Sequence, residues 1–358
     1  MYLKKFSLTA CLLLVAFAGL HSQAIANDRD RDLPVMTRNM DEGTDFGPIF
    51  LATTPQDFAT QVALAYLEVQ ASNIPERSAA IADEIAARQP YLVGLQEVSI
   101  WRTGPLFGHA DTVTYNALQS LLDALNVRGQ HYVAIKVQTE FEGEAPSALG
   151  VEIGFSDLDV LLARTEISVS ELKLSNIQAQ HFATNLVFPS PLLGPITVPR
   201  GWISADGKLR GKYFRFITTH LESFHLGVQA VQASEIVLGP ANTELPVILA
   251  GDLNTEAPGG NPALNAAYQI ILSGGFSDDW TVLHGADPGF TWPLHGEDPF
   301  TPFSTPNQRL DLVLSRDGRK GLDALATDLI GNTSADLTAS GLWPSDHAGL
   351  ASVFRLNP

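Results

Sequence analysis

Short apolar runs that end in, or enclose, single polar residues recur along this chain. LPVILA (245–250) is a continuous apolar run of strand length, which predicts a buried strand, and it stops abruptly at Gly251, Asp252, Leu253 and Asn254. LVGLQEV (92–98) and RLDLVLS (309–315) are similar runs, each holding one acid, Glu97 and Asp311. KYFRFITT alternates apolar and polar residues into His220, and AGLASVF follows directly on Asp346 and His347. A charge in an apolar strand is costly unless it has a partner, a metal or an exposed strand end, so these residues are candidates for a site. Each has a plainer reading too. A strand-end histidine can be a hydrogen-bonded structural residue, a lone glutamate one half of a salt bridge, and Asp252 with Asn254 ordinary turn residues.

Helical spacing appears elsewhere. Phe58, Val62, Ala65 and Val69 fall on one face, and a second helix is predicted from Pro75, with Ile81 and Ile85 inward and Pro90 ending it. Tyr115, Leu118, Leu122 and Leu125 predict a third, closed by Gly129, ahead of the strand HYVAIKVQ. EISVSELKL (166–174) alternates and predicts a half-buried antiparallel strand. With no internal repeat or low-complexity linker, one domain over 27–358 is expected. Its class is α+β, two packed mixed sheets with helices outside.

On a strand, residues two apart face the same side, so Asp252 and Asn254 would present one anionic acceptor and one neutral donor together. That pairing suits a phosphate and a metal. In order along the chain stand TRNM with Asn39, LQEV with Glu97, THLE with His220, GDLN with Asp252 and Asn254, RLDLVL with Asp311, and PSDH with Asp346 and His347. On these motifs, spanning 37–347, the chain resembles the endonuclease/exonuclease/phosphatase superfamily of metal-dependent phosphoesterases. The resemblance implies a four-layer α/β/β/α sandwich with all six motifs at one rim. It implies that Asn39 and Glu97 help hold a divalent metal with Asp346 near it, and that His220 binds or protonates at the phosphate. Asp252 and Asn254 would orient the attacking water and the phosphoryl oxygens, and Asp311 would position His347, the acid/base.

The chemistry agrees. A phosphodiester is anionic, so its hydrolysis needs charge neutralisation, an aligned water and a proton for the leaving oxygen. An Asn/Glu/Asp oxygen set suits Mg²⁺, or Mn²⁺ in its place, and no Cys/His cluster of zinc type is present. Two histidines can divide proton removal and donation.

MYLKK, an apolar stretch from Leu8 to Leu20 and HSQAIA read as a signal peptide over 1–26, cleaved after Ala26, which predicts a secreted or periplasmic protein. Losing Lys4 and Lys5 with it takes the formal charge from −17 to −19. Cys11 is the single cysteine, so the mature chain has no disulfide and relies on its core. The acidic balance argues against broad capture of polyanions, though a metal and a few arginines in a groove can supply local attraction. Nucleic acid and phospholipid head groups therefore compete as the phosphodiester substrate. A phosphomonoesterase, and a non-catalytic secreted binding protein on the same fold, are the alternatives. No stable protein partner is inferred.

Two segments bear on substrate. VFPSPLLGPITVPRGW (187–202) carries Phe188, Leu192, Leu193, Ile196 and Trp202. It reads either as an exposed loop in peripheral contact with a membrane, as in some bacterial sphingomyelinases, or as a loop packed back on the sheet. The long segment 284–309 holds Phe290, Trp292, Phe300, Phe303 and Arg309, which could shape a substrate pocket or cover the core edge. Trp101 and Arg102, just past Glu97, are candidates for the same rim. The chain lacks a clear counterpart of the tyrosine that some nucleases of the superfamily place near the phosphate. DLDVLLAR (157–164) also lacks the Gly-Asn or Gly-Val opening often seen on that strand. Both departures leave substrate choice open.

Overall fold

The computed structural model describes residues 31–296, 305–318 and 321–357; the expected signal peptide, Phe300 and Phe303 lie outside them. The strands are β1 (Asp32–Asn39), β2 (Leu92–Gln96), β3 (Ile100–Pro105), β4 (Thr112–Asn116), β5 (Tyr132–Pro146) and β6 (Val151–Arg164). Next come β7 (Leu172–His181), β8 (Leu186–Ser190), β9 (Gly194–Val198), β10 (Gly201–Leu209) and β11 (Lys212–His220). The last are β12 (Val247–Asp252), β13 (Ser277–Asp278), β14 (Asp311–Arg316), β15 (Leu322–Ile330) and β16 (Gly349–Leu356).

Two mixed sheets result, ordered β15-β16-β1-β2-β6-β3-β4 with β5 also on β6, and β13-β14-β12-β11-β10-β7. Leu33, Val35, Leu161, Phe214, Ile248 and Phe354 fill the layer between them. Outside the first sheet, helices Pro55–Ser72, Ile74–Arg88 and Ala117–Val127 bury Val62, Val69, Ile81, Ile85 and Leu121 against Val93 and Val160. Outside the second, helices Leu226–Leu238 and Ala266–Ser273 bury Ile236 and Ile271 against Ile217, Val247 and Leu249. LPVILA is apolar throughout because β12 is covered on both faces, Ile248 and Ala250 meeting the other sheet and Val247 and Leu249 the helices. This is the four-layer sandwich expected.

The first two helices follow the apolar spacing, and Thr54 caps the first by accepting from the Asp57 N–H. The third starts later than its spacing predicts. Asn116 caps it at Gln119 N, so Tyr115 belongs to β4, opposite Trp101. The strand expected over 166–174 is a turn up to Glu171, where Leu172 N donates to Ser168 O and Val169 faces solvent; only Leu172–Leu174 enters β7. The 187–202 segment is the hairpin β8–β9 running into β10. Its apolar side turns inward: Phe188 packs on Phe50 with ring centroids 5.7 Å apart, Leu192 rests on the first core, and Trp202 is buried in β10. Val187 and Leu193 are the segment's exposed large apolar side chains, on the outer side of the hairpin with Pro189, Pro191 and Pro195. No helix of the described residues is long and apolar enough to cross a membrane.

Candidate active site

Strand register assembles the site. In the second sheet His220 pairs with Asp252, and Asp252 with Asp311, so three functional groups stand side by side at one edge. In the first sheet the last residue of β1, Asn39, pairs with Gln96, and Glu97 follows directly with a left-handed backbone (φ 55°). Asp346 and His347 reach the same edge because Leu294 N donates to Asp346 O and Ala348 N to Thr291 O, both at 2.7 Å.

Asp252 and Asn254 are joined by a turn and do not share a strand face as expected. The Asn254 N–H donates to Asp252 Oδ1 (2.9 Å), its backbone is left-handed, and its side-chain amide donates to Leu221 O (3.0 Å). Asn254 nevertheless lines the cleft onto which Glu97, Asp346 and His347 open. The turn reading and the site reading hold together.

His347 Nδ1 lies 2.7 Å from Asp311 Oδ2, and its Nε2 lies 3.7 Å from Asp252 Oδ2. Burial alone would depress this imidazole, but Asp311, Asp346 and Asp252 around it hold it well above the usual histidine range, as an imidazolium. Asp252 is pushed up to about 6, by burial first and Asp311 among its neighbours, against the lowering influence of His347 and Asn39. It is therefore a carboxylate at neutral pH with a basicity suited to taking a proton.

His220 is the opposite case. Burial first, then the cations of Arg200 and His347, hold it well below the usual range, so it is neutral. Arg200 Nη1 lies 3.0 Å from its Nδ1, and a guanidinium can only donate; Nδ1 must accept, and the proton sits on Nε2. That N–H is directed toward Asp252 Oδ2 (3.6 Å) and Glu97 Oε1 (3.9 Å). Sequence reasoning missed Arg200, which Asp157 holds at 3.1 Å. It stands at the end of the Pro-rich hairpin segment, and only the pairing of Gly201 with His220 brings it to the site.

The site can accommodate a cation. Ligand atoms of Glu97, His220 and Asp252 lie within 4.8 Å of one another. Burial first and the charge of Asp346 second raise Glu97 to about 8, against the lowering influence of His347 and Asn39. His220 carries a proton on Nε2, which removes it as a ligand. Asn39 donates its amide to Glu97 Oε1 (2.8 Å) and Asp252 Oδ2 (3.0 Å) while its oxygen accepts from Asp41 N. In this orientation Asn39 bridges the two carboxylates and does not offer its oxygen to a metal. What remains for a cation is carboxylate oxygen, a donor set suited to a hard ion of the magnesium type.

The expected substrate contacts divide. Trp292 lines the cleft, its Nε1 donating to Asp346 Oδ2 (3.0 Å) and its ring 6.3 Å from that of His347. Arg309 does not reach it: it is 1% exposed and forks onto Asp278 at 2.9 and 2.7 Å. Trp101 is buried against Phe46 and Phe155 and donates to Glu42 O. Arg102 is tied to Glu142 and Ser156 on β3. These three hold the fold together and are not in the cleft wall, which adds His295, held 3.6 Å from Asp41.

The endonuclease/exonuclease/phosphatase family model matches residues 67–347, and the chain belongs to that family. No curated protein matches its sequence. Among solved structures it is similar to D. rerio TDP2 complexed with a single-strand DNA product (19% identity, 90% of this chain and 99% of that one, TM-score 0.54). It is also similar to a family protein from Bacteroides vulgatus (16%, 91% and 99%, 0.55). A third is the Bacteroides thetaiotaomicron mannosyl-6-phosphatase Bt3783 (14%, 89% and 98%, 0.52). At these identities the likeness is one of fold.

Proposed function

We propose that this chain hydrolyses phosphodiesters with the help of a divalent metal, Mg²⁺ or Mn²⁺. The observation that carries this reading is the meeting of the Asp311–His347 pair with Asp252, His220 and Glu97 at one sheet edge. In the proposed reaction Asp252 takes a proton from the attacking water, and the His347 imidazolium, steadied through Nδ1 by Asp311, gives one from Nε2 to the leaving oxygen. His220 Nε2–H donates to a non-bridging phosphoryl oxygen, and Arg200 fixes the tautomer that allows it. Asn254 helps to shape the water's approach. A cation held by Glu97 and Asp252, with Asp346 beside them, would neutralise charge on the phosphoryl group.

Hydrolysis of bis-p-nitrophenyl phosphate with added Mg²⁺, and its loss on chelation, tests the reading. Chelator-insensitive turnover, or none at all under any metal, would refute it. The basic, apolar and Ala-x-Ala order of residues 1–26 supports export, which N-terminal sequencing of protein from the periplasm or medium checks.

A further inference from the structure

The cleft in front of the rim, about 880 Å³, has a charge pattern that the rim's chemistry does not require. Its walls include Asp41, Glu42, Asp45, Glu97, Glu256 and Asp346, and no Lys or Arg among the described residues that line it. The neighbouring arginines are engaged by other groups, Arg77 by Asp41, Arg200 by Asp157 and His220, and Arg309 by Asp278. Arg77 and His295 stand against Asp41, and the His347 imidazolium together with a divalent cation would offset Glu97 and Asp346. Arg200 opposes Glu42, so Asp45 and Glu256 are the acids that face the cleft with no ion-pair partner among the described residues. Apolar surface lies among the acids: Phe224, 73% exposed, and Trp292.

Resting on the hydrolase reading above, we propose that the organic group of the substrate is a small, non-anionic alcohol, hydroxylated or ammonium-bearing, and not a polyanionic strand. Carboxylate oxygens only accept, so they match a group rich in O–H or N–H donors or one carrying positive charge. The faces of Phe224 and Trp292 suit the carbon skeleton of a polyol or an alkylammonium. A nucleic-acid strand would bring a row of phosphates to a wall that has no lysine or arginine to receive them.

Three diesters sharing a p-nitrophenolate leaving group test this: p-nitrophenyl phosphates of choline, glycerol and glycolate, at saturating Mg²⁺ and low salt. The choline and glycerol esters are expected to exceed the glycolate ester in kcat/KM by about tenfold, the effect of one unit charge near two uncompensated carboxylates within a Debye length. Asp45→Lys should narrow that gap several-fold. Asp45→Asn, which keeps the acceptor for the Gly47 N–H, should narrow it less. Equal turnover of the glycolate ester, or faster cleavage per linkage of a single-stranded oligonucleotide than of the glycerol ester, would overturn the inference and leave the hydrolase reading standing. Failure to hydrolyse any of the three would remove both.

Discussion

His220, Asp252 and Asp311 occupy adjacent strands in matching register and are all but inaccessible, whereas Asp45, Phe224 and Trp292, which line the cleft together with Glu97 and His347, come from connecting segments and are partly or fully exposed. Each group in the first set is defined by its neighbours. Asp311 charges His347, Arg200 discharges His220, and Asn39 ties Glu97 to Asp252. The second set is less interlocked, so its charge and shape can change without dismantling the rim. On the proposed reading, bond breaking and substrate choice would thereby rest on separate sets of residues.

Breaking the first set should have the largest effect. His347→Ala is expected to lower kcat on an activated phosphodiester by about 100-fold or more, the scale of general acid/base catalysis, and near-normal turnover would sink the assignment. Asp311→Asn should follow with a loss of roughly tenfold or more and a shifted pH profile. Because Asp311 helps to raise His347, removing its charge lowers the imidazole, so the proton donor is lost at lower pH and the alkaline limb of kcat moves down. An unmoved limb would mean that Asp311 does not set the charge of His347.

Metal binding sharpens the comparison further. Glu97, raised to about 8, holds a proton at neutral pH that a cation must displace. Apparent Mg²⁺ affinity should therefore climb with pH and level off above about 8, with proton release measurable by calorimetry in buffers of different ionisation enthalpy. A flat profile would exclude Glu97 as a ligand. Smallest of all, Trp292→Phe is expected to raise KM several-fold through lost cleft contact. Trp101→Phe should instead cost about 1 kcal/mol of stability, the scale of one hydrogen bond, with KM unchanged. Urea unfolding and steady-state kinetics on the same two variants separate them.

What was legible in the sequence follows the same division. The strands of the sandwich could be read because burial on two faces leaves continuous apolar runs, and the rim acids stood out by interrupting them. Arg200 could not be found that way, since its place depends on how β10 registers with β11 after a hairpin insertion. Arg309 and Trp101 looked like rim residues because they sit close in sequence to Asp311 and Glu97. Their partners Asp278 and Phe155 come from distant segments, and those partners draw them into the interior. EISVSELKL has a strand's alternation, but its two serine hydroxyls bond to each other while the Ser168 carbonyl accepts from the N–H groups of Glu171 and Leu172, which closes a turn.

The pairing of His220 with Asp252 and of Asp252 with Asp311 carries a consequence for quality control of the fold. Side chains on a strand change face with each residue, so a slip of β12 by a single position would carry Asp252 to the helix side of its sheet and part it from both partners at once. A chain that had collapsed with the right secondary structure but the wrong alignment would be inert. The proposed turnover would thus be an all-or-none report on strand alignment, and refolding followed by activity would time the locking of β12 separately from compaction.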